Sequence, residues 1–123
     1  MNFGSSINLT KNILDYSNTK NNVITNNLAN INNPEYKRKY MEDLSFSTYL
    51  DNEMKMTRNG HFSGSEAQTN AMEIKTELSK GRNDENNVNL DKEIIDLTSN
   101  QYLFNISTSI LQKEYTKLKE AII

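Results

Sequence analysis

Apolar residues gather towards the two ends of the chain and leave a polar middle. From Ile7 to Ile31 the positions Ile7, Thr10, Leu14, Ser17, Asn21, Ile24, Leu28 and Ile31 step by alternating threes and fours, which is a heptad seam with three polar members. Leu9, Ile13, Tyr16 and Val23 widen that face. The pattern predicts a helix of about seven turns, capped near Ser5 or Ser6. A second block begins at Asn89, where Ile94, Leu97, Gln101, Phe104, Thr108, Leu111, Tyr115, Leu118 and Ile122 keep the same alternation without a slip. Asn89 is the expected N-cap, with Asp91 and Glu93 in the first turn, where the helix dipole favours negative charge. Two such stripes predict an antiparallel helix pair. The C-terminal helix also carries Ile95, Tyr102, Leu103, Ile106 and Ile110 off its seam, so it asks for more than one neighbour. The chain offers no third long helix, and association with other chains follows.

Between the helices the periodicity weakens. "YMEDLSFSTYLDNEMKM" holds at most a helical turn or two, and "TRNGHFSGSEAQTNA", with Gly60 and Gly64, reads as a loop. "MEIKTELSKGRNDENNVNL" places Met72, Ile74, Thr76 and Leu78 on one side of a strand. Gly81 and the "NDENN" run would turn the chain and bring Val88 and Leu90 back as the partner. The fold class expected is therefore mainly α: long N- and C-terminal helices in a coiled-coil-like pair, with an extended middle that contains a small β-hairpin. The corresponding divisions are residues 1–33, 34–88 and 89–123.

Composition narrows the function. Of the 123 residues 35% are hydrophobic, and asparagine makes up roughly a sixth of the chain against a usual few per cent. With a mean hydropathy of -0.77, that is little material for a thick core. The net charge of -2 gives no basic field for nucleic acid phosphates. Without cysteine there is neither a disulfide framework nor a thiolate metal site. The first residues lack the apolar run of a signal peptide, and no window reaches the roughly 20 apolar residues of a membrane helix. A chain of this kind would leave the cytoplasm without a Sec signal.

Catalytic chemistry finds no foothold. His61 stands alone in a Gly/Ser-rich loop. Glu42 with Asp43, and Asp91 with Glu93, fit solvated or helix-start acids better than an acid/base pair. "NDENNVNLDKE" lacks the mid-loop glycine of a calcium loop and puts Val88 at a ligand position. No catalytic residue, metal or cofactor is expected.

The more informative stretch is "VITNNLANINNPEYKRK", Val23 to Lys39. A helix that reaches Asn30 must stop before Pro34, which lacks an N–H and disfavours helical geometry at Asn33. Asparagine tolerates left-handed backbone and bonds local backbone, so "NINN" suits a helix exit. Asn26, Asn27 and Asn30 lie within little more than one turn. Their amides either tie the exit to an adjacent helix or subunit or simply form polar surface.

This stretch resembles the signature of flagellar rod and hook proteins, N-N-[IL]-A-N-x-x-T-P-G-Y-K. Asn26, Asn27, Leu28, Ala29, Asn30, Pro34, Tyr36 and Lys37 match. Asn33 replaces the family's threonine and Glu35 its glycine. Glutamate resists positive φ, so that replacement argues against the usual left-handed turn after the proline. "RNDENNVNLDKEI", Arg82 to Ile94, is similar to the D-G-N-N-V-[DN]-[LI]-[DE]-x-E segment of the proximal rod members, with Glu85 in place of glycine. "MTRNGHF" stands near a family T-x-x-x-H motif.

The resemblance implies a non-enzymatic subunit of the flagellar basal body, exported through the flagellar type III apparatus. It implies that the terminal helices form an inner, coiled-coil-like domain and assemble into the rod. Implied partners are other rod proteins including FlgC, the adaptor protein FliE, the basal ring and the type III export gate. Three groups of interface residues are expected. Leu14, Ile24, Leu28, Ile31, Phe104, Leu111, Tyr115, Leu118 and Ile122 would carry the helix seam and the packing between subunits. Asn26, Asn27, Asn30, Pro34, Tyr36 and Lys37 would set the exit, and Asp84, Asn86, Asn87 and Val88 the return into the last helix. A soluble helical adaptor or secretion chaperone that binds a partner helix is the competing reading.

Overall fold

A computed structural model describes residues 3–42 and 73–122. Helix α1 (Phe3–Ala29) leads into strand β1 (Lys39–Met41); strand β2 (Ile74–Thr76) precedes helix α2 (Leu90–Ile122). The protein is thus mainly helical, two long terminal helices with a two-stranded antiparallel sheet between them. His61, Met72, Asp43 and the readings made for "DLSFSTYLDNEMKM" and "TRNGHFSGSEAQTNA" lie outside the described residues, while Tyr40 and Met41, at the start of the first of these stretches, are in β1.

Helix α1 begins at Phe3, ahead of the serines expected to cap it. Helix α2 starts as expected: the side-chain oxygen of Asn89 accepts the N–H groups of Asp91 at 2.9 Å and Lys92 at 3.2 Å, two of the donors that a helix start leaves free.

The helices meet along a seam that differs from the apolar one read in α2. Thr10, Ser17 and Ile24 are buried on α1, and Glu93, Asn100 and Ser107 on α2, each set spaced by sevens. Two of the three are polar on α1 and all three on α2. The hydroxyls of Thr10 and Ser107 bond to carbonyls one turn back in their own helices, those of Ser6 and Leu103, which lets them enter the contact without orphaned groups. Ser17 and Asn100 pair across it. The Ser17 hydroxyl donates to the Asn100 side-chain oxygen at 3.0 Å, and the Asn100 amide donates to the Ser17 carbonyl at 2.8 Å. Phe104, Tyr115 and Ile122, expected on this seam, are exposed instead, because α2 is rotated to present its small polar row to α1. Among the described residues the apolar core cluster is small: Tyr16, Val23 and Met41, with Leu103 packed against them.

The strand at Ile74–Thr76 is where the alternation put it, but its partner is not the Val88–Leu90 stretch. It pairs with β1 in the register Lys39↔Thr76, Tyr40↔Lys75 and Met41↔Ile74, and the Glu77 N–H continues the ladder to the Arg38 carbonyl at 2.8 Å. The return segment is held in another conformation: Val88 N–H is taken by the Asn86 side chain at 2.8 Å, and the residues before it are folded into a loop. Arg82 N–H donates to the Asn86 carbonyl, Glu85 N–H to the Arg82 carbonyl, and the Asp84 carbonyl accepts from Glu35.

Candidate interaction site

The end of α1, β1 and the residues before α2 converge on a junction built from asparagine amides and one arginine. Asn27, on the last turns of α1, is fully buried. Its amide donates to the Lys39 carbonyl at 2.7 Å and to Glu93 Oε2 at 3.1 Å, while its oxygen accepts from Lys39 N–H at 3.0 Å and from the Tyr36 hydroxyl at 3.2 Å. One side chain therefore imitates a strand edge for β1 and at the same time ties it to α2. Burial and the negative charge of Glu93 both raise the Tyr36 pKa, which keeps that donor protonated.

Asn86 performs the complementary task at the exit. Its amide lies among the carbonyls of Asn30, Ile31 and Asn33 at 2.9, 3.1 and 2.8 Å, just past the end of α1, and its oxygen accepts Val88 N–H at 2.8 Å. The Arg82 guanidinium adds a second donor to the Ile31 carbonyl. Asn87 fixes β1 and the segment after β2 together: its oxygen accepts Arg38 N–H at 2.6 Å and its amide donates to the Glu77 carbonyl at 2.8 Å. Gly81 allows the close passage of this loop, since a Cβ there would stand 2.1 Å from the Asn86 carbonyl oxygen.

Two residues at the junction hold left-handed backbone although neither is glycine: Glu35, with φ 63°, and Glu85, with φ 61°. The turn that glutamate argued against is made all the same. Glu35 N–H donates to the Asp84 carbonyl at 2.9 Å and the Lys37 ammonium to the Glu85 carbonyl at 2.7 Å, so each left-handed residue is held by the loop of the other.

Beneath the amides lies a charge cluster that sequence reasoning missed. The Arg38 guanidinium bonds Glu93, which is fully buried, together with Asp96 at 2.8 Å and Glu77 at 3.2 Å. Burial opposes the arginine's charge, yet the hydrogen bond and charge of Glu93, with those of Glu77 and Asp96, raise its pKa above the ordinary value. Glu77 moves the other way. Burial would raise it, but the Ser79 hydroxyl, Lys92 and Arg38 together bring it below the usual carboxylate range. The acids are thus engaged by cations, and among the described residues no group of histidine, cysteine or carboxylate side chains is arranged to hold a metal.

The expected interface residues divide by depth. Ile24, Asn27, Asn86 and Val88 are buried and hold the chain's own elements together. Leu14, Leu28, Asn30, Ile31, Tyr36, Lys37, Asp84, Asn87, Leu111 and Leu118 are half-buried. Asn26, Pro34, Phe104, Tyr115 and Ile122 are exposed. So are Ile94, Ile95, Tyr102, Ile106 and Ile110, which leaves α2 with apolar groups on both flanks of its contact with α1. Among the described residues no helix is long and apolar enough to cross a membrane.

The chain is similar to a characterised protein over nearly its whole length. The flagellar basal body rod protein FlgB of Bacillus subtilis (strain 168) is 30% identical over 125 residues, covering 98% of this chain and 95% of that protein. No protein-family model matches.

Proposed function

Since the chain belongs to the FlgB family of flagellar basal body rod proteins, we propose that it is a structural subunit of the proximal rod, assembled through its terminal helices so that torque passes along the rod. The observation that carries this reading is the orientation of α2. Its polar row, Glu93, Asn100 and Ser107, faces α1, while Phe104, Ile106, Ile110 and Tyr115 face out. Contiguous apolar surface on a helix of this kind is the mark of a face that another protein surface covers. Transmitting torque needs many lateral contacts and no reactive group.

In this reading Leu14, Leu28, Ile31, Phe104, Leu111, Tyr115, Leu118 and Ile122 pack against neighbouring subunits. The junction of Asn27, Asn86 and Arg38 is an internal brace that holds the exit, including the exposed Asn26 and Pro34, at a fixed angle to the helix pair. The partners are other rod proteins including FlgC, the adaptor FliE, and the basal ring and type III export gate beneath the rod; the chain reaches them by flagellar type III export.

Deleting the gene in the source bacterium, scoring swimming and imaging isolated basal bodies tests the reading. Rodless, hookless basal bodies restored by the intact gene are expected. Normal rods and swimming would move the helical adaptor reading to the front.

A further inference from the structure

The small sheet has two outer edges, and the hydrogen bonds around it treat them differently. The Glu77 N–H donates to the Arg38 carbonyl at 2.8 Å, which makes Arg38 and Glu77 a bonded pair of the ladder. Bonded pairs alternate with unbonded ones along antiparallel strands. In the register Lys39↔Thr76, Tyr40↔Lys75 and Met41↔Ile74, the next bonded pair is therefore Tyr40 with Lys75. The backbone groups of Lys39 turn away from β2, and those of Ile74 and Thr76 turn away from β1.

The fold closes the first of these positions and leaves the others bare. Asn27 takes both the N–H and the carbonyl of Lys39 with its side-chain amide. Where the ladder ends, the Asn87 amide enters between the strands, accepting from the Arg38 N–H at 2.6 Å and donating to the Glu77 carbonyl at 2.8 Å. No such group reaches the far side of β2. Among the described residues the N–H and carbonyl groups of Ile74 and Thr76 have no hydrogen-bond partner, and both residues are exposed.

The side chains at this edge are uncovered as well. Cross-strand neighbours share a face, so Ile74 lies beside Met41 on the side that Met41 packs into the core with Tyr16 and Val23. Met41 is buried, but Ile74, one strand further out, is 49% exposed, and Leu78, on the same side of an extended chain by alternation, is 87% exposed. The opposite face carries the Lys75 ammonium with Glu42 and Glu73. The apolar layer thus runs out at the edge of β2 with its last members open to solvent.

We infer that the outer edge of β2 is a docking site for an extended segment of another protein in the basal body, which adds a third strand to the sheet. A row of N–H and carbonyl groups at alternate residues is met in full by a second extended backbone, and Ile74 and Thr76 supply that row. The segment it takes alternates apolar and polar side chains. Its apolar members cover Ile74 and Leu78, and its polar members fall on the charged face beside Lys75. This rests on the rod reading and adds to the helix contacts proposed there a contact made by backbone.

Proline at an outward position deletes an edge donor and spares the ladder, because the N–H it removes points away from β1. Cells whose only copy carries Thr76→Pro or Thr76→Ala are scored for swimming and for rods in isolated basal bodies, with the melting temperature of each purified variant as the control for folding. Thr76→Pro is expected to melt near the wild type and to build no complete rod, while Thr76→Ala builds one. Lys75→Pro, which deletes a donor of the ladder itself, should melt lower. Amide hydrogen exchange of the wild type gives a second reading that needs no variant to fold. The amides of Ile74 and Thr76 should exchange fast in the purified chain and slow by roughly tenfold or more in basal bodies. Complete rods from Thr76→Pro would overturn the inference. So would fast exchange at these amides in basal bodies that contain the chain, or slow exchange in the purified chain, which would mean that the chain covers its own edge. Absence of the chain from basal bodies would overturn the rod reading itself and this contact with it.

Discussion

Glu35 and Glu85 sit where the resembling family has glycine, and both keep the glycine conformation. A non-glycine residue in left-handed backbone costs about 1–2 kcal/mol, while glycine gives back about 0.4–1 kcal/mol through the freedom of the unfolded chain. Glu35→Gly and Glu85→Gly are therefore each expected to stabilise the protein, by roughly 0.5–1 kcal/mol, read as a rise in the urea midpoint; a fall would show that the glutamate side chains contribute more than the strain removes. Gly81 presents the opposite case. Its backbone is ordinary, but the Asn86 carbonyl occupies the space of a Cβ. Gly81→Ala is expected to destabilise by about 1–3 kcal/mol in the same assay. The sequence made a turn at Gly81 legible and also the helix exit at Asn30–Pro34. It misled at Glu35 because intrinsic preference was weighed without the hydrogen bonds to Asp84 and from Lys37 that hold both loops in place.

Elements are joined here by polar groups more than by apolar packing. Arg38 on the approach to β1 bonds Glu93 and Asp96 on α2 and Glu77 after β2, so a single side chain connects three parts of the chain. Removing either member of a buried pair strands the other, at a cost of about 3–5 kcal/mol. Arg38→Met and Glu93→Leu should each lower the melting temperature strongly, and the double variant should lose far less than their sum; additive losses would contradict the pairing. Glu77 gives the junction a dependence on pH. Its folded pKa lies below the unfolded one, so its contribution is complete above about pH 4.3 and disappears as pH falls through the lower folded value. The stability difference between the wild type and Glu77→Gln should accordingly shrink on acidification below that point. Both helices, the cap at Asn89 and the strand at Ile74 could be read from periodicity and turn chemistry. The seam on α2 could not, because periodicity follows apolar residues and the buried row is Glu93, Asn100 and Ser107. Glu93 looked like a first-turn acid. Only its burial beside Arg38, a contact between residues far apart in the chain, shows its use.

At the scale of the molecule these choices leave a helix pair whose seam is largely polar and whose last helix carries apolar groups on its exposed flanks. The Ser17–Asn100 and Asn27–Glu93 pairs fix how the helices register, as buried polar contacts do in a coiled coil. In the proposed rod, assembly would then draw on side chains the fold itself does not need. Substitutions therefore separate: changes at Asn27, Asn86 or Arg38 should unfold the chain, whereas changes at Phe104 or Ile106 should leave it folded and unable to build a rod. The most direct measurement is electron microscopy of basal bodies from cells whose sole copy carries Phe104→Asp and Ile106→Asp, with the purified variant's melting temperature as the control for folding. Both sites are exposed, so melting near the wild-type temperature together with rodless basal bodies is the expected result. Complete rods built from that variant would contradict the claim that the outward apolar flanks of α2 assemble the rod.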